Sequence, residues 1–360
     1  MGDRPTVYHV GRAGDIPGGM TQVVNAYLAW PFEQVAVEVI ESRGDPGDHV
    51  TALRRFTRAL GRLRAIKRRG ERAVIVVHLS ERGSFVREGS LARYAARLGL
   101  PVIAHLHGSE FAVHEREHPK SVGAVLGACA RVITLSEESS EISARHVGAD
   151  RVSLVPNAIP DGIGVQKERT IVFGGVVSHR KGIDVLQDAW REVGPEFPGW
   201  ALVIAGPLRD EHLVDKDIAG ARFLGSVGHK DLMELLEHAS VAVLPSRDEA
   251  MPMFILEAMA RRSCVISTTV GGIPAVLGEG HGVLVAPGDA AALAAAFRRV
   301  LGDAAERAAI AARGHDRFLL SYSAQAVFPR VESIWLEALG EIPERERVSA
   351  ASAARADAGV

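Results

Sequence analysis

Residues 73–106, AVIVVHLSERGSFVREGSLARYAARLGLPVIAHL, decide the fold. Two solid apolar runs, 73–79 and 102–106, bracket a longer amphipathic stretch. A strand that is apolar on both faces has no side for water, which marks a parallel sheet covered by helices. The alternation continues in both directions. Strands are expected at 6–10, 35–40, 131–135 and 152–155, then at 170–174, 201–205, 241–244, 264–268 and 283–285. Helical segments of about 10–20 residues separate them. The pattern is α/β and doubly wound, twice over. No sequence repeat relates the halves; they share architecture only.

The size and composition of the chain agree. Its 360 residues, 47% hydrophobic, suggest two domains with a core each. Lys plus Arg number 42 against 44 Asp plus Glu, a net charge of -2 that argues against a dedicated nucleic-acid binder. Cys129 and Cys264 lie far apart in apolar runs, as buried thiols in a reducing cytosol would. No segment reaches the ~18 apolar residues of a membrane span. The start, MGDRPTVYHV, lacks the apolar core of a signal peptide. Gly2 and Thr6 match the spacing of a myristoylation site, but they lead straight into a strand and read as an ordinary N-terminus. A cytoplasmic protein is expected.

A natural joint follows the strand at 152–155. Residues 156–164, PNAIPDGIG, hold two prolines and two glycines, and the boundary is placed near residue 165. The expected domains are 1–164 and 165–320, with a C-terminal helix in 321–340 packing back across them. That helix carries Val327, Val331, Ile334, Trp335 and Ala338 on one face and Pro329 inside it. Residues 341–360, rich in Ala, Glu and Arg without apolar periodicity, read as a disordered tail.

In open α/β sheets, ligands bind beyond the carboxyl ends of strands. After the first strand, Gly18 and Gly19 precede a helix; they suit either a plain turn or close approach of backbone N–H groups to a ligand. Neither a dinucleotide fingerprint nor a GxxxxGK phosphate loop is present. His105 and His107 share a strand face. As a metal pair they lack a third ligand, so no metal is expected; His107, at the strand tip, could hydrogen-bond a substrate. The stretch 173–182, FGGVVSHRKG, places Gly174 and Gly175 at a strand end and Arg180 and Lys181 beside a helix start, either a solvated basic turn or a phosphate site. In 245–260, PSRDEAMPMFILEAMA, a loop carrying Glu249 leads to Pro252, which reads as the first helical residue. The N–H groups after it could hold a phosphate. Glu257 lies in a strongly apolar helix, where a buried carboxylate needs a partner such as ribose hydroxyls.

Glu249 and Glu257, with seven residues between them, resemble the nucleotide-sugar signature of retaining glycosyltransferases of family 4. So do FLGSVGHKDLMELLEHASVAVLPS, VSLVPNAI, the Gly18–Gly19 turn and TTVGGIP at 268–274. HLSERGSFVREG and HLHGSEF are similar to a branch that builds bacterial surface polysaccharides. The resemblance covers roughly residues 6–340. It implies a GT-B fold, two Rossmann-like domains with the active site in the cleft between them. It implies transfer of a sugar from a nucleoside diphosphate, UDP by family frequency, to an acceptor hydroxyl. The α configuration is retained, with no cofactor and no bound metal. Carried over by position, Glu257 binds the ribose and Glu249 the donor sugar hydroxyls. The backbone of Met251, Pro252 and Met253 lines the sugar and phosphates. Lys181 neutralises the diphosphate, with Gly175 and Arg180 beside it. His107 contacts the donor sugar near the reacting centre. Gly18 and Gly19 lie under the donor phosphates or the acceptor. Ser84, Arg87 and Glu110 are the acceptor-binding candidates.

Two positions depart from the pattern. Val176 stands where the family often has Arg, and Ala250 where it usually has Gly. The first removes an expected phosphate cation and keeps open a non-catalytic binding protein; a nucleotide-sugar epimerase on the same fold is a separate rival reading. Asp215-Lys216-Asp217 has the spacing of metal-dependent glycosyltransferases but follows a charged stretch, and reads as surface charge. Residues 54–72 hold nine cations and one acid, with Leu53, Phe56, Leu60 and Leu63 as the apolar stripe. Such a helix is either a solvated face or an electrostatic dock for anionic lipid, which would suit a lipid-linked carbohydrate acceptor and equally an anionic soluble one.

Overall fold

The computed structural model describes residues 4–14, 19–43, 49–80, 83–108 and 110–340. Six strands form the first sheet: β1 (Thr6–Gly11), β2 (Ala36–Glu41), β3 (Ala73–Leu79), β4 (Val102–Leu106), β5 (Arg131–Thr134) and β6 (Val152–Leu154), in the order β2-β1-β3-β4-β5-β6. Six more form the second: β7 (Glu168–Gly174), β8 (Ala201–Ala205), β9 (Ala221–Gly225), β10 (Ala239–Leu244), β11 (Cys264–Thr268) and β12 (Val283–Val285), in the order β12-β11-β10-β7-β8-β9. Every pairing is parallel.

The solid apolar runs behave as expected: β3, β4 and β10 are buried along their whole length. β9, ARFLG, was not among the expected strands. It lies at a sheet edge and alternates between half-buried and exposed positions, so it lacks the solid apolar run that marks the others.

The chain forms two compact units. Among the described residues, one comprises those of 4–13, 27–155 and 328–340; the other comprises those of 14–26 and 156–327. The expected boundary near 165 therefore falls inside the second unit, which takes up the Pro/Gly-rich segment from Pro156 onward. The helix Ala324–Ala338 begins in the second unit and ends in the first, running through Pro329. Val331, Trp335 and Ile334 are buried on it, as the periodicity required. The expected tail, 341–360, lies outside the described residues.

In the first unit, the helix His49–Arg69 sends Ala59, Leu63 and Ile66 into the core, beside Phe85, Leu91 and Ala95 of the helix Gly83–Arg97. This corrects the expected stripe. Phe56 and Leu60 pack only partly, and Leu53 is 65% exposed; the fully buried positions of the helix begin at Ala59. Both cysteines are buried and unbridged, and burial pushes each thiol up to about 12. Among the described residues, no helix is long and apolar enough to cross a membrane.

Strand order locates the crevices. In the second sheet the chain runs from β7 outward through β8 and β9, then returns to place β10 on the other side of β7. In the first it reverses between β1 and β3. Loops leaving the carboxyl ends of two strands that diverge in this way leave a gap for a ligand.

Candidate functional site

At the β7/β10 reversal, glycine brings the backbone together. Gly182 (φ +73°) presses on the Pro245 carbonyl, where a Cβ would stand 1.9 Å from the oxygen. That approach delivers Lys181, whose ammonium donates to the Glu249 carboxylate. The same carboxylate accepts from Ser246 Oγ at 2.8 Å. The Arg247 N–H donates to the Arg180 carbonyl, and the Arg180 guanidinium to the Asp248 carbonyl, both at 2.8 Å. Arg247 also grips Asp184 with two nitrogens at 2.8 and 2.7 Å. Partial burial pushes the Asp184 carboxyl up, but the Arg247 hydrogen bonds and charge, with backbone N–H groups, outweigh it and hold it below its usual range.

The other side of the loop is held by TTVGGIP. Gly271 (φ +51°) is so close that a Cβ would lie 1.5 Å from the Glu249 carbonyl oxygen. The Gly272 N–H donates to the Ala250 carbonyl at 2.9 Å, and Thr268 Oγ1 to the Ser246 carbonyl at 2.6 Å. Glu249 thus sits on a loop braced from two directions, 8% exposed. Gly175 lies beside Lys181: a Cβ there would be 3.9 Å from the lysine Cε.

Pro252 is extended (φ −74°, ψ 117°) and caps the helix rather than opening it; the helix runs Met253–Ala260. It is buried at every position. Its first N–H groups have no intrahelical acceptors, the usual basis of an anion site. Phe254 lies over Gly174, where a Cβ would fall 2.4 Å from the ring. Glu257, 4% exposed, finds a protein partner, His229 Nε2 at 2.9 Å. A single imidazole leaves the carboxylate acceptor capacity for further donors. Gly19 belongs to this unit too, and a Cβ on it would lie 3.8 Å from Met253 Cγ. Gly18 lies outside the described residues. Buried Asn157, on the VSLVPNAI stretch, donates its N–H to Met251 Sδ at 3.4 Å, a support the sequence did not specify.

The first unit presents a different chemistry. His9 on β1, His78 on β3 and His107 just past β4 form a hydrogen-bonded chain. His9 Nδ1 is 2.8 Å from His78 Nε2, and His78 Nδ1 is 2.8 Å from His107 Nε2. Each neutral ring has one donor and one acceptor, so all the protons in the chain point the same way. His105 lies against His107 with centroids 4.1 Å apart and the rings tilted by 38°. Burial, then the neighbouring histidine His107, pushes His9 down to about 3; burial, then Arg43, does the same to His107. His78 and His105 fall well below their ordinary value for the same first reason. The rings are neutral at pH 7.

The expectation that His105 and His107 lack a third ligand is corrected: His78, His105 and His107 offer nitrogens within 4.8 Å of one another. The missing signal was strand pairing, which sets His78 directly across from His105. Ser84 and Arg87 converge on a residue not singled out, Glu88. Its buried carboxylate accepts from Ser84 Oγ at 2.9 Å, Arg87 Nε at 2.9 Å and Ser42 Oγ at 2.8 Å. Glu110 is exposed just before the helix Phe111–Glu117. In the second unit Asp215 pairs with Arg191 at 3.0 Å and Lys216 with Glu211 at 3.3 Å, on partly exposed side chains, as surface charge would.

Two doubly wound units, one with a braced carboxylate–ammonium loop at its reversal, define a class that comparison makes specific. Residues 168–303 match the family "Glycosyl transferases group 1", and residues 17–162 match "Glycosyltransferase Family 4". The chain thus carries a glycosyltransferase group 1 domain and a glycosyltransferase family 4 domain, and its fold is GT-B. HepE from Anabaena, solved in complex with UDP and glucose, matches with a TM-score of 0.70 at 15% identity over 92% of this chain and 99% of its own. Sucrose-phosphate synthase from Thermosynechococcus elongatus matches at 0.71 and 18% identity over 94% of this chain and 100% of its own. Glycogen synthase of Mycobacterium tuberculosis is 34% identical over 177 residues, 47% of this chain and 42% of its own. A lipopolysaccharide core biosynthesis mannosyltransferase of Rhizobium leguminosarum is 32% identical over 165 residues, 42% of this chain and 46% of its own. The chain spans less than half the length of these two relatives.

Proposed function

We propose that the protein transfers a sugar from a nucleoside diphosphate, UDP by preference, to an acceptor hydroxyl, with retention and formation of an α-linkage. The observation that carries this reading is the Lys181–Glu249–Ser246 array on the loop before an all-buried helix bearing Glu257. Glu257 accepts from the ribose hydroxyls. Glu249, which faces an ammonium and a hydroxyl, accepts from the sugar hydroxyls. Lys181 and the N-terminus of the helix Met253–Ala260 stabilise the charge that grows on the diphosphate as the glycosidic bond breaks. Gly175 leaves room for the phosphates, and Arg180, tied to Asp248, borders them in place of the arginine missing at Val176. His107 donates to or accepts from the donor sugar, its tautomer set by His78. No side chain is assigned as a covalent nucleophile. The acceptor is deprotonated by the departing diphosphate on the same face. The chemistry needs no metal, because Lys181 and the helix end supply the positive charge.

The names of relatives that act on surface polysaccharides support a carbohydrate or lipid-linked acceptor at the cytoplasmic face, held through Glu110 and the Ser84–Arg87–Glu88 group. The basic helix His49–Arg69 then docks on anionic lipid. Incubation with UDP-, GDP-, ADP- and dTDP-sugars in EDTA, with products resolved by NMR, tests the reading. An α-linked product from one donor is expected. Turnover that appears only with added Mn²⁺ or Mg²⁺, or a β-linked product, contradicts it.

A further inference from the structure

The histidines at the strand ends of the first unit are more numerous than a sugar contact requires. We propose that His78, His105 and His107 form a binding site for a zinc-class divalent cation, with His9 fixing the orientation of His78. Parallel pairing places His78 opposite His105, and the period of two along β4 puts His107 on the same face. Their nitrogens lie within 4.8 Å of one another. Two nitrogens on one zinc stand at most about 4 Å apart, so small side-chain rotations close the set. Both ring nitrogens of His105 are buried without a hydrogen-bond partner. Core packing alone gives no reason for an imidazole there, and a metal would occupy one of those nitrogens.

The surroundings suit a ligand set. His78 Nε2 meets His9 Nδ1 at 2.8 Å, which leaves Nδ1 of His78 for the cation and supplies the outer partner that metal-binding imidazoles usually have. On loading, the His78 proton resides on Nε2 and points to His9. His107 is only partly buried, so the fourth position opens toward solvent. Three imidazoles select zinc, copper or nickel over magnesium or calcium. A cation held by His107 withdraws that ring from the donor sugar, so zinc should inhibit transfer. This consequence rests on the proposed function; the binding does not.

The test is a titration of the EDTA-stripped full chain with Zn²⁺ by calorimetry, and with Co²⁺ by visible absorption. One equivalent is expected to bind, with the visible bands of a nitrogen-ligated four-coordinate cobalt. His105→Phe keeps a ring for packing and should weaken Zn²⁺ by at least about tenfold, as should His78→Gln; His9→Phe should weaken it by on the order of tenfold. His229→Gln and His146→Gln, which touch two histidine–carboxylate pairs elsewhere, should leave the affinity unchanged. Wild-type protein that binds no stoichiometric zinc overturns the site. So does zinc binding that survives both His105→Phe and His78→Gln, or that is lost in His229→Gln or His146→Gln. If His105→Phe does not fold, His78→Gln decides. A wild-type protein that binds zinc but shows no sugar transfer in EDTA would count against the proposed function and leave the metal site standing.

Discussion

The two sheets are built from the same kind of strand yet present opposite chemistries at their reversals. At β7 and β10 the loops are charged: Lys181 faces Glu249, and Arg247 grips Asp184. At β1 and β3 the groups are neutral imidazoles in an apolar setting, with His9 against Tyr27 and Trp335 at 4.7 and 5.3 Å. The difference follows from how each is held. In the second unit, glycines at 182, 271 and 272 let backbone carry the loop, so side chains are left to manage charge. In the first, His9, His78 and His105 project from the strands themselves into the interior, where burial keeps them uncharged.

The largest effect should come from the charged side. Lys181→Ala removes the cation opposed to the leaving diphosphate and is expected to lower kcat by ~100- to 1,000-fold. Glu249→Ala should also depress turnover, with a smaller effect on nucleotide affinity. Steady-state kinetics of folded variants checks both; unchanged kcat in Lys181→Ala would remove it from the chemistry.

The neutral side should be sensitive to acid. His9 in the folded protein sits at about 3, below its ordinary 6.5, so the unfolded chain binds the extra proton between those values. Stability is therefore full above about 6.5 and lost as pH falls toward 3, by about 1.4 kcal/mol per pH unit for each such histidine. His9→Phe should flatten urea-unfolding stability between pH 6.5 and 5 by that slope. An identical slope in the variant would break the contrast between the units.

A third comparison uses glycine. Gly70 (φ +65°) has nothing within 4 Å of a built Cβ, so Gly70→Ala should cost only the backbone strain, about 1–2 kcal/mol. Gly271→Ala adds a collision with the Glu249 carbonyl and should cost more, with loss of turnover. Equal thermal midpoints would show that the loop can yield. The smallest effect is expected at the exposed helix face. Replacing Arg58, Arg64 and Arg68 by Ser should shift stability by less than about 1 kcal/mol. It should still weaken salt-sensitive binding to anionic vesicles.

Much of this contrast was written in the sequence. The solid apolar runs gave eleven of the twelve strands, and the Glu249–Glu257 spacing pointed to the second unit's candidate site. β9 escaped because an edge strand needs no continuous apolar run. Leu53 misled because apolar periodicity does not say which turns of a helix reach the core. His78 was read only as the end of a strand. Its tie to His9 and His107 depends on which strands are neighbours, and the order β1-β3-β4 is a property of topology. Glu88 was hidden in the same way, since Ser42 reaches it from a distant segment.

The central claim is that the second unit's loop and buried helix hold a nucleoside diphosphate through Glu257. The direct measurement is a calorimetric titration with UDP, in EDTA, of wild-type protein and Glu257→Gln. The wild type should bind without metal. In a variant of unchanged thermal midpoint, affinity should fall by about 1.5–3 kcal/mol, roughly ten- to a hundredfold, as ribose loses a charged acceptor. Equal affinity in the folded variant would contradict it.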